Sequence, residues 1–170
     1  MLAWRLRMQG HKISIFEKEA ANSQAACSYA AAGILSPLAE LEMAEATIFE
    51  LGQRSLQLYP QWLEQLSEEI YFRQQGSLVT AHKNDKIELE HFYKLIKRKL
   101  NKFDQYVEPV NLSTKEKELS HLADGLFLPM EGQIDPIALL QALEKELRDQ
   151  DWHFNTEVTE INAHTIKTEN

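Results

Sequence analysis

Apolar and polar positions already follow helix and strand periods in the first residues. Leu2, Ala3 and Leu6 recur at helical spacing, and Gly10 follows as a helix stop. Lys12 to Glu17 then reads as a short β-branched and aromatic strand that closes on a carboxylate. Residues 20–37 are rich in small side chains, with Ala30-Ala31-Ala32-Gly33 at their centre. From about Ala44 to Leu66 the pattern turns helical, with Ile48, Leu51, Leu58, Trp62 and Leu66 apolar. Pro60 interrupts it as a kink or as the first residue of a second helix.

Ile70-Tyr71-Phe72 and Ser77-Leu78-Val79-Thr80 read as strands separated by the turn Gln74-Gln75-Gly76. Asp85 to Leu100 is a charged amphipathic helix, and Ser113 to Leu122 a short one. Leu126-Phe127-Leu128 is a strand. Asp135-Pro136 supplies an N-cap and a first-turn proline for a helix with Ile137, Leu140, Leu143 and Leu147 on one face. Trp152-His153-Phe154 and Val158 to Ile161 are strands, and Thr165-Ile166-Lys167 pairs back onto the latter. Strands interleaved with helices make the class α/β or α+β, with at least one parallel crossover.

Composition narrows the partners. The 170 residues are 44% hydrophobic, enough for a real core, and carry a formal net charge of -8. That charge disfavours nucleic acid and anionic membrane as partners, and the one basic run, Lys97-Arg98-Lys99, reads as a solvated helix face. A single cysteine, Cys27, allows neither an internal disulfide framework nor a multi-cysteine metal site, which points to a reducing, cytoplasmic setting. No apolar stretch approaches the ~18 residues of a membrane span, and Met1 to Gln9 lacks a signal-peptide core.

A helix, a glycine stop, a strand and a terminal acid also make up the second half of a dinucleotide-binding βαβ unit. There, a glycine-rich turn offers backbone N–H groups to a pyrophosphate, and an acid about 20 residues later binds ribose hydroxyls. The chain contains no G-x-G-x-x-G, and Glu17 lies too near Met1 to leave room for one. Either that turn precedes Met1, or the segment is an ordinary αβ pair ending in a solvent-facing acid. The small residues from Cys27 to Leu35 would let backbone approach a flat ring closely, as would any tight alanine turn.

Three segments, 2–6, 10–17 and 30–40, together resemble the N-terminal region of the D-amino-acid oxidase superfamily, most nearly its glycine oxidases. Ser55 to Leu63, Gly76 to Val79, Gly125 to Pro129 and Gly132 to Pro136 continue the resemblance in the same order over nearly all the chain. It implies a non-covalent FAD held between a doubly wound, Rossmann-like domain and an antiparallel-sheet α+β substrate domain. The expected segments are 1–38 and 135–170 for the FAD-binding domain and 39–134 for the substrate domain. By position, Glu17 would hold the adenosine ribose with Lys18 beside it, and Cys27 and Ser28 would lie near the pyrophosphate. Ala32, Gly33 and Ile34 would line the isoalloxazine, and the Val158 backbone would read the adenine. Tyr29 and Ile34 depart from the family pattern, which favours a smaller residue and a methionine at those positions.

The implied reaction is oxidation of glycine or a similar small amine to the imine, with oxygen as acceptor, in thiamine (thiazole) biosynthesis. The expected partner is a small amine, with a homo-oligomer open for the full-length enzyme. Neither Arg54, Arg73 nor Arg148 matches the family's carboxylate-binding arginines, which would fall beyond Asn170, so no catalytic residue is assigned. The expectation is of a chain truncated at both ends and inactive alone. A non-catalytic remnant without flavin and the flavin domain of a tRNA-modifying oxidase are the alternatives. His11, His82, His91, His121, His153 and His164 lack metal-ligand spacing, Glu40, Glu42 and Glu45 read as a solvated helix entry, and Cys27 has no neighbouring base. No metal is expected.

Overall fold

A computed structural model describes residues 1–21, 23–100, 103–122 and 124–169. In chain order the elements are α1 (Leu2–Met8), β1 (Ser14–Phe16), α2 (Cys27–Ala30), β2 (Ile34–Leu35), α3 (Ala46–Leu63), β3 (Phe72–Arg73) and β4 (Ser77–Thr80). There follow α4 (Lys86–Lys99), β5 (Glu108–Asn111), α5 (Leu112–Lys115), β6 (Asp124–Leu128) and β7 (Gly132–Ile134). The last are α6 (Pro136–Leu147), β8 (Asp151–His153), β9 (Val158–Ile161) and β10 (Ile166–Thr168). The fold is mixed α/β, and the chain divides into two compact units.

The first unit takes Met1–Ala32, Leu66–Ile70 and Asp135–Asn170. Its α1 ends in a Schellman pair, with the Gly10 amide donating to Arg7 O at 2.8 Å and the His11 amide to Leu6 O at 3.1 Å. β1 and β8 pair in parallel, Ile15 against Trp152, which is the crossover expected from the interleaved pattern. Asp135 caps α6 by accepting the Ala138 amide at 2.9 Å, with Pro136 in the first turn. The buried face of α6 is Leu139, Ala142, Leu143 and Leu147, so Ile137 and Leu140 sit at its margin rather than on it. The β9–β10 hairpin turns on Asn162, whose Oδ1 accepts the His164 and Thr165 amides at 3.0 and 2.9 Å.

The second unit takes Gly33–Gln65 and Tyr71–Ile134. It holds two three-stranded antiparallel sheets, ordered β2-β7-β3 and β4-β6-β5. The strands on either side of Gly76 therefore do not form a hairpin, because β3 joins one sheet and β4 the other. Leu38, Leu41, Phe49, Phe92, Ile96, Phe103, Val107, Leu126 and Leu128 form one core cluster. Each such side chain contributes roughly 1.5–3 kcal/mol by leaving water.

Pro60 lies within the last turn of α3 and starts no second helix. The buried residues of α3 are Phe49 and Leu56, whereas Ile48 and Leu51 are 50% and 62% exposed. Among the described residues, no helix is long and apolar enough to cross a membrane.

Candidate functional site

The end of β1 carries the first site. Past Phe16 the backbone keeps pairing: the Glu17 amide donates to His153 O at 2.9 Å, and the Thr156 amide donates to Glu17 O at 3.0 Å. The Asn155 amide then reaches Glu19 O at 3.0 Å, with Asn155 itself at φ 52°, a left-handed turn that asparagine tolerates. These bonds hold residues 17–19 against 153–156. Between them opens a cavity of about 510 Å³ lined by Glu17, Lys18, Glu19, Ala26, Thr156 and Val158, among others.

Within it, Glu17 Oε1 accepts the Glu19 amide at 3.0 Å, which orients the half-buried carboxylate. Beneath it, the Phe16 and His153 rings stack at 4.6 Å. Asp151 accepts from His153 Nε2 at 3.0 Å and Ser14 Oγ at 2.9 Å, and these bonds, the His153 one foremost, hold its carboxyl below the usual range.

Three of the residues expected to bind cofactor, Glu17, Lys18 and Val158, thus share one cavity. An oriented carboxylate beside a strand backbone suits a ribose diol and an adenine edge. The volume lies within the ~300–1,000 Å³ of small-molecule sites. The residues present therefore fit the adenosine half of FAD.

Ser28 lies on α2, a single helical turn, and lines a neighbouring cavity of about 340 Å³ with Glu17, Ala26, Leu140, Leu143 and Glu144. Cys27 is exposed and lines none of the three cavities described here. Tyr29, the departure from the family pattern, donates its hydroxyl to Glu144 Oε1 at 3.3 Å. Desolvation and the Glu144 carboxylate both push that phenol upward.

Ala32 is exposed and lines none of these cavities. Gly33 and Ile34 belong to the second unit. Gly33 is buried at φ +74°, where a side chain would be strained, and its carbonyl accepts the Ile134 amide at 2.8 Å. Ile34 is 63% exposed and walls a cavity of about 260 Å³ with Leu35, Pro37, Glu40, Gly52 and Tyr59. A Cβ on Gly52 would stand 2.5 Å from Pro37 Cβ, so α3 approaches that wall as only glycine allows.

Sequence reasoning missed Glu131. It is 1% exposed, in the turn between β6 and β7, and accepts the Ala39 amide at 2.8 Å and the Ser77 hydroxyl. Burial raises its pKa above the usual carboxylate range. The Ser77 hydroxyl and the Ala39 and Leu38 amides oppose the shift, and Glu40 adds to it. Nothing in Met130-Glu131-Gly132 distinguishes it from a solvated turn acid. The signal lies in the donors that surround it.

Comparison with known proteins bears on the family and the fold. A Rhizobium etli protein described as a thiamine biosynthesis oxidoreductase, ThiO, is 29% identical over 149 residues, 87% of this chain and 42% of that protein. The crystal structure of glycine oxidase from Geobacillus kaustophilus superposes with a TM-score of 0.73 at 22% identity, over 98% of this chain and 47% of that one. Iminodiacetate oxidase from Chelativorans sp. BNC1 gives 0.71 at 19%, over 98% and 46%. At such identities the structures speak for the fold alone, and the chain spans about half the length of these relatives. The DAO family of FAD-dependent oxidoreductases matches over residues 1–170, and the chain belongs to it.

Proposed function

We propose that this chain is the adenosine- and flavin-contacting part of an amine oxidase that takes glycine or a similar small amine to the imine, with oxygen as acceptor, in thiamine (thiazole) biosynthesis. The observation that carries the reading is the convergence of Glu17, Lys18 and Val158 on one cavity from opposite ends of the sequence. In this reading the first unit is part of the FAD-binding domain and the second part of the substrate domain.

Each residue has a binding role. Glu17 accepts the ribose hydroxyls with the carboxylate oxygen that Glu19 leaves free, and Lys18 stands at the rim. The Val158 backbone meets the adenine edge, Cys27 and Ser28 lie toward the pyrophosphate, and Ala32, Gly33 and Ile34 bring backbone against the flavin ring. Bound FAD supplies the acceptor for a hydride from the amine's α-carbon, and the protein orients and shields it. The lone Cys27 suits a cytoplasmic setting.

The 170 residues hold no glycine-rich pyrophosphate turn, and no arginine lines the three cavities described. The chain by itself should therefore bind FAD weakly and leave glycine unoxidised. An FAD titration followed by a peroxide-coupled assay with glycine tests this. Robust turnover by the chain alone would overturn the incomplete-site reading, and a complete lack of adenine-nucleotide affinity would favour a flavin-free remnant.

A further inference from the structure

Among the described residues, Glu131 is the one buried charged side chain, and its bonds join three separate segments of the second unit. Its Oε1 takes the Ala39 amide at 2.8 Å, at the start of the 3-10 turn Ala39–Glu42. Its other oxygen takes the Ser77 hydroxyl, at the start of β4. Its own carbonyl takes the Gly76 amide at 2.9 Å, and Gln74 Nε2 donates to the adjacent Met130 carbonyl at 2.8 Å. Meanwhile β2 pairs with β7, Leu35 opposite Gly132.

The stretch from Ile34 to Glu40 is therefore fastened at one end by β7 and at the other by Glu131, the residue just before β7. That stretch forms one wall of the 260 Å³ cavity. A solitary carboxylate buried without partners would be strongly unfavourable. Here its donors come from Ala39, within the wall segment itself, and from Ser77 at the start of β4. An apolar side chain could fill the same volume but could not fix the Ala39 amide.

We propose that Glu131 is a positioning residue that sets the Ile34–Glu40 wall, and with it the place of Glu40 at the cavity. Its bearing on flavin rests on the proposed reading of Ile34, the first residue of this wall, as flavin-lining. A glutamine could still accept from Ala39 and offer its NH2 to the Ser77 hydroxyl, so it should rescue the role where alanine cannot.

Amide hydrogen exchange on the full 170-residue chain tests the role without any ligand. Glu131→Ala should speed exchange at Ala39, Glu40 and Leu41 by about tenfold or more, with α4 in the same unit unchanged. Glu131→Gln should stay near wild type. Uniform acceleration across the second unit, equal in both variants, would reduce Glu131 to a general fold contact and overturn the proposal, as would no change at Ala39. Should Glu131→Ala fail to fold, Ser77→Ala decides, because removing one donor should loosen residues 36–41 selectively. Uniform or absent loosening there overturns the proposal as well. Titrating the same proteins with FAD reports on the flavin reading separately. A wild-type chain with no FAD affinity would remove that reading and leave the exchange result standing.

Discussion

Glu17 Oε1 receives the amide of Glu19 at 3.0 Å, so the carboxylate that ends β1 is held by its own loop before any ligand arrives. A pre-oriented acceptor spends little rotamer entropy on binding. Glu17→Ala should weaken adenine-nucleotide binding by roughly 10- to 100-fold, as expected for loss of a hydrogen bond to a charged group of about 1.5–3 kcal/mol. Calorimetric or fluorescence titration with FAD checks it. An unchanged affinity would take Glu17 out of the site.

The buried Glu131 gives a pH dependence with a definite sign. Its folded pKa is raised, chiefly by burial, so the folded state favours the protonated form. The stability this contributes is full below the ordinary carboxylate range and is lost as pH rises through the raised folded value. Glu131→Gln, neutral at every pH, should therefore gain on wild type as pH increases. Urea unfolding at a series of pH values measures the difference. A wild type that gains on the variant with rising pH would reverse the sign.

Ile96, fully buried in the second unit's cluster, and Ile87, 76% exposed on the same helix, provide a paired test of the core. Ile96→Ala should cost about 2–5 kcal/mol. Ile87→Ala should stay within about 0.5 kcal/mol. Denaturant melts distinguish them.

Asp135 caps α6 through the Ala138 amide. Asp135→Ala should lower stability by about 0.5–2 kcal/mol, visible in the same melts. Asp135→Ser should recover most of the loss.

What the sequence revealed depended on whether the signal was local. The cap at Asp135, the stop at Gly10 and the short run Ser77 to Thr80 just after the Gln74-Gln75-Gly76 turn are local, and each marks a real element. β5 escaped notice because Pro109 lies within it. Proline is tolerated there since β5 is an edge strand, paired only with β6. β7 is three residues long and takes its place from β2 and β3 on either side, which no local pattern encodes. Apolar residues at helical spacing do not by themselves mark the buried face of α3: Ile48 and Leu51 are exposed, and packing buries Phe49 and Leu56. In the site, Glu17 was legible as an acid ending a strand. Its cavity-mate Val158 came only through family resemblance, and Glu131 not at all.

The central claim is that the cavity between Glu17 and Val158 takes the adenosine half of FAD. Titrating the isotopically labelled chain with AMP while following its amide resonances tests this even at the weak, roughly millimolar affinity of about 4 kcal/mol. The account predicts shifts concentrated at Phe16 to Glu19 and Thr156 to Val158 that Glu17→Ala abolishes. Shifts confined to the second unit, or none at saturating AMP, would contradict it.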